Sequence, residues 1–451
     1  MAESPELPMS EQNPTLNNQM ASREQGSLLA LGFGTSVLMW AIAYIGMAPY
    51  GGVGSWRVWG VLALLGLVVI ASGFIKSRLT SDGPIGAIKL GLALTGINFL
   101  IVASLNGRET TGEALVTGFL WILGFAVAAI ACCLIGAGMA GFKNQSPAKS
   151  IDWSSKFLMV AAITTLPLII SGGIVTGLEA GMAVPDWLTT FDYPMMFYPM
   201  VKMQEDSNVY AEHFHRLWGL LVGLSVIAVV IHLHMVDTRT WIKRLSIVVL
   251  MMVIVQGILG GTRVTENNLP LAIMHGVFGQ ATFATIVCMA AFCSSFWKSP
   301  RIDVEIDTSK YDLKLPTALP ILFVIQLVLG ALYRHLNAEV GVQKMITHSL
   351  LGLHVLMACV LTVAVIVVGL KFMVCFHKHR PLARLGYSIL MLVGLQVLLG
   401  VGAMVAVMFR NGEGEIPLLE VIITTIHQTT GAILLALATL VAIWSRRLVA
   451  S

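Results

Sequence analysis

The sequence predicts an all-α polytopic membrane protein of about twelve transmembrane helices, the C-terminal eight forming two four-helix bundles as a parallel repeat. Three observations lead there. The 451 residues are 56% hydrophobic and 12% charged, with a mean hydropathy of +0.82. Apolar runs of about 20 residues, the length that spans a bilayer as a helix, recur along most of the chain. Basic residues are unevenly divided among the connecting loops. A net charge of +4 gives no sign of a nucleic-acid partner, so the lipid bilayer is the expected one.

Residues 1-26, "MAESPELPMSEQNPTLNNQMASREQG", are polar and acidic, without the basic start of a cleaved signal peptide, and are expected to be a disordered cytoplasmic tail. Apolar windows between charged or Gly/Pro-rich breaks then place spans near 27-48, 58-76, 85-104, 114-140, 157-177, 213-235, 245-262, 271-296, 317-334, 346-370, 386-408 and 419-445. With both termini cytoplasmic, the outer side holds only Arg57, Arg108, Lys202, Arg216, Arg263, Arg334, Lys344 and Arg410. The other 20 of the 28 Lys and Arg face inward, as the positive-inside rule requires. All six cysteines lie in or beside apolar runs, with no CxxC and no CxxCH, which argues against a loop disulfide or covalently attached haem.

None of the eleven histidines precedes residue 213. Residues 27-150 therefore form a histidine-free four-helix extension, and imidazole chemistry belongs to 157-296 and 316-445. These two segments repeat each other: "GGIVTGLEAGMAV" (172-184) aligns with "GALYRHLNAEVGV" (330-342), "HFHRLWGLLVG" (213-223) with "MITHSLLGLHV" (345-355), "VQGILGG" (255-261) with "LQVLLGV" (395-401), and "MHGVFGQATFA" (274-284) with "IHQTTGAILLA" (426-436). Each unit has an even number of spans, so the two share one orientation.

The alignment lays His215 on His348 and His275 on His427, near the outer ends of their helices. Two imidazoles per bundle at similar depth is the arrangement that axial ligation of a haem iron needs. His354, six residues beyond His348, is the substitute ligand; His232, His234, His335, His377 and His379 are read as ordinary interfacial or loop histidines.

Glu212 and His215 are three apart and share a helix face, which His213 does not. Glu212 is thus a candidate proton carrier beside a haem edge, and Arg216 a partner for a haem propionate or an interfacial anchor. The second unit has Met345 and Ser349 at these positions, so bond-making chemistry is assigned to the first bundle and electron carriage to the second.

At these residues the chain resembles the heme A synthase family. Glu212, His215 and Arg216 match its Glu-x-x-His-Arg motif, "LGGTRVTENNLPLAIMH" (259-275) its "LGGxTV" span end before a ligand histidine, and "GMAVPDWLTT" (181-190) its outer loop, with Val184 and Thr190 in place of two cysteines. The resemblance covers 157-445 and not 1-150. It implies an oxidoreductase that converts the C8 methyl of heme O to the formyl of heme A, with oxygen from water and electrons leaving through heme b. His215 and His275 would hold the substrate, His348 and His427 the heme b, with Glu212 as the catalytic carboxylate. Heme O synthase and cytochrome oxidase are implied partners, in a bacterial-type plasma membrane; the electron acceptor and any homo-oligomer stay open. The alternatives are a diheme b-type electron-transfer protein, such as a quinol-linked cytochrome, and a porphyrin transporter.

Overall fold

The computed structural model describes residues 14-49, 55-80, 82-105, 112-141, 151-299, 313-336, 342-408 and 416-449. The chain is all-α and polytopic. In order the helices are α1 (Pro14–Gly46), α2 (Ser55–Leu79), α3 (Gly83–Leu105), α4 (Gly112–Ala140), α5 (Trp153–Gly177), the one-turn α6 (Met200–Met203), α7 (Ser207–Val236), α8 (Thr240–Thr265), α9 (Leu269–Cys293), the one-turn α10 (Ser295–Lys298), α11 (Lys314–His335), α12 (Val342–Cys375), α13 (Arg380–Met408) and α14 (Leu418–Val449). Eleven of them are long and apolar enough to cross a membrane, among the described residues. The remaining expected span, 85-104, forms as the 23-residue helix α3.

Local chemistry explains where the long helices start. Asp206 caps α7 by accepting from the Asn208 and Val209 amides, and Asn268 caps α9 by accepting from Leu271, with a proline in the first turn. Capping extends α7 six residues before the apolar run, so Glu212 and His215 lie in its second and third turns rather than at its mouth. The first helix likewise begins at Pro14, within the stretch expected to be disordered. Glu24 on that extension pairs with Lys89, and Ser27 accepts from the buried Lys76 ammonium, which also pairs with Asp82 at 2.5 Å. Residues 1-13 of the expected tail, and 142-150 of the loop between the extension and the first bundle, lie outside the described residues.

Helices α5, α7, α8 and α9 pack as a closed ring in chain order, and α11, α12, α13 and α14 as another. They meet where α14 packs on α5 and α9. The N-terminal helices follow a different order, α1–α2–α4–α3, with α2 and α4 pressed backbone to backbone at Gly73 and Gly136. Helix α1 ties them to the first bundle. Phe33, Val37 and Trp40 of α1 are buried in one core with Phe157 of α5 and Trp218 and Leu221 of α7.

Candidate haem site

Four imidazoles are each seated on a glycine of a neighbouring helix. A Cβ at Gly172 of α5 would lie 3.0 Å from Cε1 of His215, at Gly260 of α8 3.0 Å from His275, at Gly330 of α11 2.9 Å from His354, and at Gly400 of α13 3.1 Å from His427. These are closer than an ordinary carbon contact of about 3.5–4.0 Å, so only a bare backbone lets each ring reach its place. The repeat alignment sets Gly172 on Gly330 and Gly260 on Gly400. That correspondence is the sequence signal that would have identified the second-bundle ring.

In the first bundle the rings of His215 and His275 face each other with centroids 6.4 Å apart and planes at 86°. An iron between two imidazoles needs about 3 Å from each ring centre, counting an imidazole–metal bond of about 2 Å and a ring radius of about 1 Å. The pair therefore fits the axial demand of a haem iron. Ser171 holds Nδ1 of His215 at 3.0 Å, fixing the ring and leaving Nε2 as the nitrogen not used in that bond. The Nδ1 atoms of His275 and His427, on the side of Gly260 and Gly400, are buried without a hydrogen-bond partner among the described residues, as are Nε2 of His213 and Nδ1 of His232.

In the second bundle it is His354, and not His348, that packs on a glycine of the neighbouring helix. Gln326 brackets it, donating to the His354 carbonyl at 3.1 Å and lying 3.2 Å from Nε2. Gln396 stands 3.4 Å from Nε2 of His427, and Gln256 donates to the His275 carbonyl at 3.1 Å. His348 is exposed two turns nearer the helix start. His354 is thus the α12 histidine held between α11 and α12, and His348 lies nearer the start of the helix at Val342. With His354 set on His215, the acid position falls on Leu351 and the arginine position on Val355, so the two bundles still differ in the acid.

The Glu-x-x-His-Arg turn builds the roof of the first bundle. Arg216 donates to the carbonyls of Asp186 (2.6 Å), Thr189 (3.1 Å) and Val184 (2.8 Å), and to Oε1 of Glu212 (2.7 Å). Glu212 is buried, and its Oε2 accepts the Val184 amide at 2.8 Å. Both terminal nitrogens of Arg216 are thereby engaged with the loop, so a propionate contact has to use Nε or displace one of these bonds. His213, off the face shared by Glu212 and His215, is fully buried; its Nδ1 lies 3.1 Å from the Thr190 hydroxyl and its ring 5.2 Å from that of Tyr198. Arg263 donates to Gly181, and Trp187 lies so tightly on Gly261 that any side chain there would overlap the indole.

Within the loop, Thr189–Thr190 (β1) pairs antiparallel with Tyr193–Pro194 (β2), leaving Phe191 and Asp192 as a two-residue turn. Both have positive φ, 49° and 66°, which L side chains adopt at a cost. The Asp186 carboxylate offsets it by accepting both turn amides, at 2.9 and 3.1 Å. Partial burial pushes this carboxyl up, but hydrogen bonds from Thr189, Phe191 and Asp192 outweigh that and hold it below its ordinary value. Asp186 of the "PDW" motif is therefore the fastener of the loop.

Paired imidazoles under an arginine-clasped loop, in an all-helical membrane body, match one sequence profile over residues 18-287 and 155-439, that of the COX15-CtaA cytochrome oxidase assembly proteins. The chain belongs to this family. The match reaches back to residue 18 and so takes in the N-terminal helices that the sequence resemblance had left out. The heme A synthase of Shewanella oneidensis is 25% identical over 186 residues, 38% of this chain and 54% of that protein's length. The chain thus matches about half of this relative. Val184 and Thr190, which stand where the sequence resemblance expects two cysteines, are both fully buried.

Proposed function

We propose that this chain is a heme A synthase that oxidises the C8 methyl of heme O to a formyl group, with water supplying the oxygen. Adding water to the methyl and forming the formyl releases four protons and four electrons, and the electrons pass to an acceptor outside the chain. The observation that carries this reading is the asymmetry between two otherwise matching imidazole pairs: Glu212 stands one turn from His215, and Leu351 takes the same place beside His354. His215 and His275 hold the substrate porphyrin; His354 and His427 hold a heme b, which supplies one-electron relay chemistry when bound. Glu212 is the acid–base group, its carboxylate held by Arg216 and the Val184 amide. The loop over residues 178-206 covers that pocket and limits water there. The excess of Lys and Arg on the side of both termini supports a cytoplasmic N- and C-terminus in a bacterial-type plasma membrane.

One observation favours a second reading. Both oxygens of Glu212 are engaged in holding the loop, which a diheme electron carrier would also require. Glu212→Gln separates the two. In a heme A synthase produced in cells that make heme O, this variant keeps both bound haems and forms no heme A. A variant with normal heme A yield removes Glu212 from the chemistry, and a wild-type protein that yields only heme b is a carrier.

A further inference from the structure

We infer that the basic end of the molecule, opposite the imidazoles, carries a binding site for the phosphate group of an anionic phospholipid, wedged between the two bundles. The site is a cavity of about 550 Å³ where the end of α7, the start of α8, α10 and the end of α14 converge. Arg239, Lys298 and Arg447 line it, against one lining carboxylate, Asp237. Counting Asp152, which pairs with Lys298 at 3.2 Å, the balance is still one positive charge. Asp237 aligns Arg239 through an ion pair at 2.7 Å, and the guanidinium lies 5.6 Å from the Trp241 ring centre. Arg447 lies 4.5 Å over Trp297 and donates to the Ser299 carbonyl at 3.3 Å. These supports hold both guanidiniums before any anion arrives, which lowers the ordering cost of binding one. The α8 N-terminus opens into the same cavity with no side-chain cap on its first amides, adding a positive dipole end.

The surroundings select a lipid rather than a soluble anion. Trp241 and Trp297, both lining the cavity, have the amphipathic rings that favour headgroup depth. Directly along α8, the side chains of Ile247, Val248 and Met251 are 41%, 51% and 51% exposed, an apolar track for acyl chains leading from the cavity into the bilayer. A lipid seated there bridges α8 of the first bundle and α14 of the second.

The test uses the full-length protein purified in a neutral detergent. Thermal unfolding is followed while dioleoyl-phosphatidylglycerol, dioleoyl-phosphatidylcholine or inorganic phosphate is titrated at fixed ionic strength. Phosphatidylglycerol is expected to raise the midpoint saturably, and the other two not. At about fivefold per cation, K298Q/R447Q should weaken its apparent affinity roughly thirtyfold. K298R/R447K, which keeps the charges, and R384Q, which removes an exposed cation outside the cavity, should bind as wild type. If the double variant does not fold, R447Q alone should show the fivefold loss. Equal stabilisation by phosphatidylcholine, undiminished affinity in the neutral variants, or equal stabilisation by inorganic phosphate each overturns the lipid site.

Discussion

Replacing Gly330 with alanine tests whether His354 is the second-bundle ligand. The new Cβ would stand 2.9 Å from Cε1 of His354. Ordinary carbon contact begins at about 3.5 Å, so the ring must retreat by roughly 0.6 Å or more. Metal sites tolerate only about 0.2 Å of ligand displacement, so the imidazole loses its place opposite His427. Alanine favours a helix over glycine by about 1 kcal/mol, so α11 itself gains and misfolding is not the expected cause of any loss. Purified G330A should therefore contain less than half the wild-type b-type haem by pyridine haemochrome, while its apoprotein unfolds at an equal or higher temperature. His354→Ala should give the same deficit, and His348→Ala a full complement. Normal haem content in G330A, or a deficit in His348→Ala alone, would refute the assignment of His354.

The remaining predictions concern the roof and the N-terminal helices. Gly261→Ala has no room beneath Trp187, so it should detach the loop and increase protease cleavage within 181-192 while the helices stay folded. Asp186 is held below its ordinary value in the folded loop, so its contribution is present above the unfolded carboxylate pKa of about 3.9 and is lost as pH falls through the lower folded value. The protection of the Phe191 and Asp192 amides, taken relative to their intrinsic exchange rate at each pH, should fall on acidification across that window, and in Asp186→Asn should be low already at neutral pH. Trp40 is fully buried between α1 and α7, so Trp40→Ala should cost about 3–5 kcal/mol and reduce first-bundle haem along with stability, measured by thermal unfolding and haem content. Removing residues 1-150 should then destroy the first bundle rather than reveal an independent accessory unit.

Much of this architecture was legible without coordinates because its causes are local. A helix in lipid satisfies its backbone hydrogen bonds within itself, so apolar length alone marks where it runs, and lysines and arginines in the loops orient it. The Glu212–His215 spacing belongs to the same class of information. Which rings meet across a bundle is set by how far each helix extends and how it is rotated against its neighbours. His348 and His354 both lie along α12; only the fold shows that His354 packs on the bare backbone of Gly330 while His348 is exposed. Arg216 reads as a propionate partner or an interfacial anchor, and His213 as lying off the Glu212–His215 face, until the loop of 178-206 folds over them. Its carbonyls and the Thr190 hydroxyl come from residues more than twenty positions away, and no helical periodicity encodes that contact. The N-terminal helices looked separable because they lack histidine, yet Phe33 and Trp40 complete the first core, since shape at a helix crossing counts there and not chemistry.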